Sequence, residues 1–423
     1  MKNNGVGVIT SNGVYQTTTT TQGAVERRVS SPEGSGAVVP RNSSSSTSIL
    51  DDRLLIPYNQ LKYDSRAPLG QGSFGKVFRG ILHGNRVAIK ILFHQDVEYS
   101  RLPTASVAAA VAARGGAGAG NSLSQRMMED FVREIDVMAG LRHDNIQDLR
   151  GYCITPDGPA IVSKYYARGS MADALRQGLS NPERRAELTW SRRLHMAVDV
   201  AAGLLYMHSY ETPILHRDLK AINCFLDEHY RALVGDFGLT KPMQDRARSA
   251  ASSGAAANNP RWLAPELLTD SELGESHYTT KTDIYAFGMV MFELLTWREP
   301  FRNTGHWEII NKIGKGERPV IPPRLPGGPD NEIFVQGGVM EEYVQLMNKC
   351  WAQDPAQRPE FEDIHPQLEK MLVRHVKSVR ASREGGPVVG GVGSNIGVTG
   401  VANRLVNGGI GITGEPVRLA LPQ

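Results

Sequence analysis

The most informative segment of the chain reads His216-Arg217-Asp218-Leu219-Lys220-Ala221-Ile222-Asn223, and Asp236-Phe237-Gly238 follows it after a short interval. The region contributes two carboxylates and an amide, from Asp218, Asp236 and Asn223. Carboxylate and amide oxygens are the ligands that Mg²⁺ prefers, and a carboxylate can also orient an attacking hydroxyl. These residue types therefore predict the chemistry of phosphoryl transfer, in which a protein mainly positions the reactants.

A glycine-rich segment lies upstream and reads Gly70-Gln71-Gly72-Ser73-Phe74-Gly75-Lys76-Val77. Glycines allow the backbone to approach a polyphosphate closely. In a dinucleotide-binding unit such glycines would open a helix, whereas here residues 76–79 alternate between polar and apolar as in a strand. This pattern of strand, loop and strand favours a flap over ATP.

The chain after these glycines predicts a hairpin and then a helix. Apolar and polar residues alternate from Phe74 to Ile91, and apolar residues recur at helical spacing between 124 and 139. Lys90 lies in an apolar strand, where an ammonium needs charged partners. We expect it to pair with nucleotide phosphates and with Glu134 on the helix; a solvated Glu134, with Glu129 as the partner, is the alternative.

The predicted elements divide the chain into a small strand-rich part and a larger helical part. Further helices are predicted for residues 194–208, 284–295 and 342–351. Both ends are rich in small and polar residues and cannot bury enough surface to offset the entropy of ordering. The predicted organisation is a disordered Ser/Thr/Gly-rich region 1–55, a folded domain 56–375 and a disordered Gly/Val-rich tail 376–423, the folded domain comprising an N-lobe of about 56–167, with an Ala/Gly-rich insertion 101–122, and a C-lobe of about 168–375.

Residues from about 62 to 372 resemble a eukaryotic protein kinase domain. The resemblance rests on the segments already quoted, taken in order with Val87-Ala88-Ile89-Lys90 and Ala264-Pro265-Glu266. Trp190-Ser191-Arg192-Arg193-Leu194 and Cys350-Trp351-Ala352-Gln353-Asp354-Pro355 are similar to the tyrosine-kinase-like group of serine/threonine kinases. The implied fold is α+β, a bilobal protein kinase fold with a small antiparallel-sheet N-lobe carrying one main helix and a larger helical C-lobe.

The resemblance also implies roles for individual residues. Asp218 would orient the substrate hydroxyl, Lys220 would steady the transferring phosphate, and the Lys90–Glu134 pair would complete the catalytic set. Mg²⁺ would be bound by Asn223 and Asp236. ATP would be bound by Gly70, Gln71, Gly72, Ser73, Gly75, Val77, Ala88, Lys90, Ser163, Lys164, Tyr166, Asn223 and Asp236.

Other implied roles are structural. The adenine base would lie against the segment linking the lobes, where Ser163 holds the gatekeeper position and backbone groups of Lys164 and Tyr166 meet the base edge. Glu266 and Arg358 would form a buried salt bridge, and Asp283 would stand at the start of a central helix. His216 is expected to pack and orient rather than to act as a base.

The function that follows is ATP-dependent transfer to protein serine or threonine, favoured by Lys220 two residues after Asp218. Asn259 departs from the pattern, because serine/threonine kinases carry threonine there, and its amide can still hydrogen-bond. Alternatives are a dual-specificity or tyrosine kinase, a pseudokinase scaffold, and a kinase of small metabolites. Protein substrates are the expected partners. An upstream kinase is expected to phosphorylate Ser249, Ser252 or Ser253, and Arg217 would bind the phosphate; a flexible Ala/Ser loop without a regulatory phosphate is the alternative.

The composition restricts the partners, the metal or disulfide sites and the cellular location that we expect. A formal net charge of +3 with scattered basic residues predicts no nucleic-acid partner. Three widely spaced cysteines, Cys153, Cys224 and Cys350, predict free thiols rather than a zinc site or a disulfide framework. No apolar run approaches the length of a membrane span, so a cytoplasmic location is expected.

Overall fold

The computed structural model describes residues 51–72, 75–92, 123–242, 259–269, 278–326 and 338–384. Several predictions fall outside these ranges. They concern Ser73, the insertion 101–122, the candidate phosphorylation sites Ser249, Ser252 and Ser253, residues 1–50, and the tail from 385 onward.

A five-stranded antiparallel sheet forms the first part of the described chain, with strand order β1-β2-β3-β5-β4. One long helix, α1, is inserted between β3 and β4. The bounds are β1 Leu61–Gly72, β2 Gly75–Leu82, β3 Asn85–Ile91, α1 Leu123–Gly140, β4 Leu149–Thr155 and β5 Gly158–Lys164. The predicted hairpin and helix are both present.

The register of β2, β3 and β5 gives the sheet two chemically different faces. Val77 is paired with Lys90, and Ala88 with Ser163. Because directly paired residues and residues two apart in a strand share a face, these four side chains lie on the same side. The opposite face carries the buried apolar cluster that includes Phe78, Val87, Ile89, Ile91, Ala160 and Val162. The sheet therefore keeps its own small core on one side and presents the predicted nucleotide residues on the other.

Gly75 begins β2 in a conformation that a side chain could not adopt. Its φ is 153°, and a Cβ placed there would lie 2.1 Å from the carbonyl oxygen of Ile91. Gly70, on the adjoining strand, has no heavy atom within 4 Å of the corresponding position. Gly75 is thus required by the fold itself, whereas Gly70 faces open space.

The remaining elements are mainly helical and surround an almost entirely buried helix, Thr280–Thr296. Among the described residues, two short two-stranded sheets shape the loops between the helices: Ile214–Leu215 pairs with Lys241–Pro242, and Cys224–Leu226 pairs with Ala232–Val234. The bounds are α2 Met171–Ser180, α3 Pro182–Glu187, α4 Trp190–His208, β6 Ile214–Leu215, β7 Cys224–Leu226, β8 Ala232–Val234, β9 Lys241–Pro242, α5 Glu266–Thr269, α6 Thr280–Thr296, α7 His306–Gly314, α8 Val339–Cys350 and α9 Phe361–Glu384.

At both ends of the folded domain, residues that were predicted to be disordered form a helix or pair with a strand. Helix α9 continues to Glu384, although disorder was predicted from residue 376. Residues 372, 375 and 379 stay half-buried, and this helical spacing keeps one side of the extension against the protein. At the other end, residues 51–55 were predicted to be disordered, but Leu55 forms a parallel bridge with Tyr152 of β4.

The N-terminal bridge depends on a glycine of β4. Gly151 has a φ of 149°, and a Cβ there would approach the carbonyl oxygen of Leu54 to 2.2 Å. The absence of a side chain lets residues 52–54, which form a short 3-10 turn, lie directly against β4. The N–H of Ile56 then donates to the carbonyl of Tyr152 at 2.7 Å.

The tryptophans and cysteines are distributed unevenly. All five tryptophans lie between residues 190 and 351; Trp190, Trp297 and Trp351 are buried, whereas Trp307 is 72% exposed. Cys153, Cys224 and Cys350 are free and buried, as predicted, and burial raises the pKa of each thiol. No helix within the described ranges has the length and apolarity to cross a bilayer.

Candidate active site

Lys90 joins the sheet to two acidic residues. Its Nζ lies 2.8 Å from Oε1 of Glu134 on α1 and 2.7 Å from Oδ1 of Asp236. Glu134 is buried and Lys90 is half-buried, so each charge has little water around it and depends on the others. The structure thus brings together three residues that were predicted for the site.

The charges of this cluster keep one another ionised. Burial acts to lower the pKa of Lys90, but the carboxylates of Glu134 and Asp236 raise it above its ordinary value overall. Burial likewise acts to raise the pKa of Asp236, but the charge and hydrogen bond of Lys90 hold it below its ordinary value. Asp236 is therefore a carboxylate at neutral pH, which is the form that binds a cation.

Asp218 is fixed by two side chains of its own loop. Nζ of Lys220 donates to both carboxylate oxygens, at 2.9 and 2.8 Å. Nδ2 of Asn223 donates to the Asp218 carbonyl at 2.8 Å and to its Oδ2 at 3.0 Å. The side chain of Asp218 nevertheless remains 26% exposed. A carboxylate that is both fixed and accessible can receive a proton from an approaching hydroxyl.

Asp283, in the first turn of α6, anchors the backbone of this loop. Its oxygens accept hydrogen bonds from the N–H of His216 at 2.8 Å and of Arg217 at 2.9 Å. Burial acts to raise the pKa of Asp283, but hydrogen bonding to His208 and the other donors hold it below its ordinary value. Arg217 has a φ of 67°, which is uncommon for a residue with a side chain. The anchor therefore maintains a strained turn directly before Asp218.

His216 connects the loop to the segment before Asp236. The N–H of Asp218 donates to Nδ1 of His216 at 3.3 Å, so the ring proton must be on Nε2. Nε2 then donates to the carbonyl of Gly235 at 3.0 Å, and the ring packs against Phe237 at a centroid distance of 5.6 Å. Both ring nitrogens are occupied, which supports an orienting role.

Asn223 and Asp236 present oxygens that fit Mg²⁺. Because Nδ2 of Asn223 is committed to Asp218, its Oδ1 is left for a cation. The side chain of Asp236 is 33% exposed, and the N–H of Gly235 donates to the carbonyl of Asn223 at 2.9 Å. In the described part of the chain no three His, Cys, Asp or Glu side chains form a metal-binding group. Mg²⁺ usually takes one or two carboxylates plus water and substrate phosphates, and the Asp236 carboxylate with the Asn223 amide oxygen is a ligand set of that kind.

The segment expected to meet adenine follows β5. The N–H of Lys164 donates to the carbonyl of Asp148 at 2.9 Å, so of the two backbone groups of this residue only the carbonyl could meet a base. The N–H of Tyr166 makes no hydrogen bond to any described residue, and the Tyr166 ring stacks on Phe225 at 5.9 Å. The Tyr166 N–H is thus a donor that a base could meet along this segment.

The glycine-rich segment completes the strand-to-strand turn above this face. Gly70, Gln71 and Gly72 form the end of β1 and pair with Val77, Lys76 and Gly75 in turn. The pattern of strand, loop and strand is therefore present on either side of residues 73 and 74. It places the predicted flap at the edge where Val77 and Lys90 are paired.

Asn259 does not contact the catalytic pair directly. Its Oδ1 accepts from the N–H of Arg261 at 3.3 Å and from the Arg261 guanidinium at 3.1 Å, and so it caps the 3-10 turn Pro260–Trp262. It still lines a small cavity together with Asp218 and Tyr278. Among the described residues, the Asn259 side chain therefore stabilises the turn beside this cavity and makes no hydrogen bond to Asp218 or Lys220.

The expected pair of Glu266 and Arg358 is present. The guanidinium of Arg358 binds both Glu266 oxygens, at 2.7 and 2.8 Å, and also donates to the carbonyls of Ala352 and Lys281. The Arg358 side chain is fully buried, whereas that of Glu266 is 24% exposed. This bidentate ion pair connects the first residue of α5 to the segment that precedes α9.

Sequence reasoning missed two polar residues that support the site. Oε2 of Glu293, on α6, accepts from the N–H of Ala221 at 3.0 Å and from Nε1 of Trp262 at 2.9 Å. Burial raises the pKa of Glu293 to about 8. An acid inside an apolar helix was a usable signal for Glu293. Gln147 contacts Ser163 and Asp236. It belongs to no motif, so the sequence carries no signal of this role.

Comparisons with known proteins agree with this geometry. A family model described as protein tyrosine and serine/threonine kinase matches residues 119–368. The chain is 32% identical over 335 residues to the serine/threonine-protein kinase CTR1 of Arabidopsis thaliana, an alignment covering 79% of this chain and 34% of that protein. It is 30% identical over 334 residues to the probable serine/threonine-protein kinase drkD of Dictyostelium discoideum, covering 79% and 21%. The chain thus spans about a third or less of the length of these relatives.

Proposed function

The chain belongs to the protein tyrosine and serine/threonine kinase family, and on this basis we propose that it transfers the γ-phosphate of ATP to serine or threonine hydroxyls of proteins. The observation that carries the proposal is the fixed, accessible carboxylate of Asp218. Lys220 and Asn223 hold it, and the cluster of Lys90, Glu134 and Asp236 completes the same site.

Asp218 orients the attacking hydroxyl and accepts its proton. The ammonium of Lys220, bound to both oxygens of Asp218, provides positive charge beside the incoming phosphoryl group. Phosphoryl transfer depends mainly on positioning and electrostatic stabilisation, so the hydrogen bonds that hold Asp218 within this loop would contribute to catalysis by fixing its carboxylate.

Nucleotide binding is assigned to the sheet face that carries Val77, Ala88, Lys90 and Ser163. Lys90 supplies a cation for phosphate oxygens, and Glu134 fixes its position. The Tyr166 N–H and the Lys164 carbonyl are the groups left for the adenine edge. Mg²⁺, held by Asn223 and Asp236, would neutralise charge on the phosphates.

Serine/threonine specificity is supported by two observations. Lys220 stands two residues after Asp218 and bonds it directly. The relatives CTR1 and drkD are both named serine/threonine-protein kinases. Asn259 bears on this assignment because it lines the cavity beside Asp218. Phosphotyrosine in the product would overturn serine/threonine specificity and would point to this part of the cavity as the cause.

The deciding experiment compares the wild type with Asp218→Asn, using labelled ATP, Mg²⁺ and a generic protein substrate. Mass spectrometry identifies the phosphorylated residues. Asp363→Asn, an exposed acid on the first turn of α9, is the matched control. We expect phosphoserine or phosphothreonine with the wild type and the control, and its loss with Asp218→Asn. Folded wild-type protein that binds ATP without any Asp218-dependent transfer would instead identify a pseudokinase scaffold.

A further inference from the structure

Gln147 lies where the sheet meets the loop that carries Asp236. It precedes β4, and its N–H donates to the carbonyl of Val234 at 2.8 Å. The preceding residue, Ile146, forms a parallel bridge with Val234. The backbone of residues 146 and 147 is therefore attached to β8 directly before Gly235 and Asp236.

The side-chain amide of Gln147 makes two hydrogen bonds in different directions. Its Oε1 accepts from the N–H of Asp236 at 3.2 Å, and its Nε2 donates to Oγ of Ser163 at 3.0 Å. A backbone N–H can only donate, so the atom facing Asp236 must be the oxygen. The amide thus connects the end of β5 with the backbone of the predicted metal ligand.

The contact is close, and the backbone that it meets is strained. A Cβ on Gly235 would lie 2.3 Å from Oε1 of Gln147, so this oxygen occupies the space that a side chain at 235 would need. Asp236 has a φ of 60°, a left-handed conformation that costs a residue with a side chain energy. An acceptor fixed on the Asp236 N–H helps to hold that conformation.

We propose that Gln147 is a positioning residue, which sets the orientation of the Asp236 carboxylate toward Mg²⁺ and links it to Ser163 in the nucleotide pocket. The functional part rests on the proposed kinase activity, through the metal role of Asp236. Lys90 fixes one carboxylate oxygen from the side-chain end, and Gln147 fixes the same residue from the backbone end. Asp236 is therefore held both at its side chain, by Lys90, and at its backbone, by Gln147.

The first test measures the backbone contact alone, in protein without nucleotide. Hydrogen exchange at the Asp236 amide is compared between the wild type, Gln147→Leu and the control Gln353→Leu. Gln353 is another half-buried glutamine, and its Oε1 accepts from Arg318 at 2.8 Å. We expect exchange at Asp236 to accelerate by about tenfold or more only in Gln147→Leu. Equal protection in all three proteins would overturn the proposal, whether or not the chain is an active kinase.

The second test measures catalysis. Partners that orient a metal ligand typically change metal affinity or activity by about 10- to 100-fold. We expect Gln147→Leu to lower kcat and to raise the Mg²⁺ concentration for half-maximal rate to that extent, with little change in the KM for protein substrate. Gln147→Glu keeps an oxygen for the Asp236 N–H and can accept from the Ser163 hydroxyl, so it should restore most of kcat. A loss that Gln147→Glu does not restore would contradict positioning through this acceptor.

The link to Ser163 is tested by a double-mutant cycle. Ser163→Ala removes one end of the bridge and should have a smaller effect than Gln147→Leu. If the two residues act together, the double variant should be no worse than Gln147→Leu alone. Strict additivity of the two effects would remove Ser163 from the proposal. Should Gln147→Leu fail to fold, Gln147→Met, which removes the acceptor with an unbranched side chain of similar length, provides the same comparison of amide exchange and Mg²⁺ dependence.

Discussion

Glu293 shows how a single buried side chain can make the stability of the protein depend on pH. Both of its hydrogen-bond donors meet Oε2, so Oε1 can carry a proton without losing either bond. Burial raises the pKa of Glu293 from 4.5 to about 8. The folded state therefore binds a proton that the unfolded state releases between these two values.

The sign of the effect follows from this difference in proton binding. The folded protein holds more protons than the unfolded chain between pH 4.5 and about 8, so the contribution of Glu293 to the free energy of unfolding falls as pH rises through that window. The slope from one group is at most about 1.4 kcal/mol per pH unit. We expect Glu293→Gln to remove this component, as measured by urea unfolding at several pH values. An unchanged slope in Glu293→Gln, or an equal change in the exposed-site control Glu362→Gln, would contradict the assignment.

Gly70 and Gly75 form a second prediction at the residue scale, because one glycine is needed by the fold and the other faces open space. We expect Gly75→Ala to lower the thermal unfolding midpoint, since its Cβ would meet the Ile91 carbonyl. Gly70→Ala should leave that midpoint unchanged and raise the KM for ATP, because a methyl group would stand where the backbone approaches the phosphates. Equal effects of both variants on the unfolding midpoint would refute this separation.

At the scale of elements, motifs in the sequence predicted much of what the structure contains. The kinase family and the α+β fold are confirmed. The helical spacing of apolar residues located α1, and the apolar run 284–295 located α6, which is buried on all sides. The extension of α9 was missed, because composition was averaged over a tail whose glycines begin only after residue 384. The contacts of Gln147 depend on Ser163 near the end of β5 and Asp236 after β8 both lying within reach of one side chain, which no local pattern encodes.

The pair of Arg358 and Glu266 should contribute strongly to the attachment between elements. Removing one partner of a buried pair leaves the other charge uncompensated, at a cost of about 3–5 kcal/mol. We expect Arg358→Ala to lower the free energy of unfolding by about this amount, as measured by denaturant titration. Arg374→Ala breaks a surface ion pair between Arg374 of α9 and Glu342 of α8 and should change the free energy of unfolding little. An equal loss of unfolding free energy in both variants would show that the buried pair with Glu266 stabilises the protein no more than the surface pair does.

At the scale of the whole molecule, the two parts of the domain differ in the number of apolar residues that they bury. The sheet encloses ten buried apolar residues on one face, whereas α1 and the helical part share a far larger cluster. Elements with smaller cores open more readily. We expect amides of β1–β3 to exchange faster than those of α4 and α6 in the protein alone. ATP with Mg²⁺ should slow exchange in β1–β3 and around Asp236 together; protection of only one region would contradict a nucleotide site shared by both parts.

The tryptophan distribution determines what optical spectroscopy can report. Because every indole lies between residues 190 and 351, intrinsic emission reports on the helical lobe and carries no direct signal from the sheet. Trp307, 72% exposed, should account for most of the quenching by iodide. An early opening of the sheet would absorb heat in a calorimeter without shifting the emission spectrum. Calorimetric and fluorescence melting curves would then separate, although both follow the same chain.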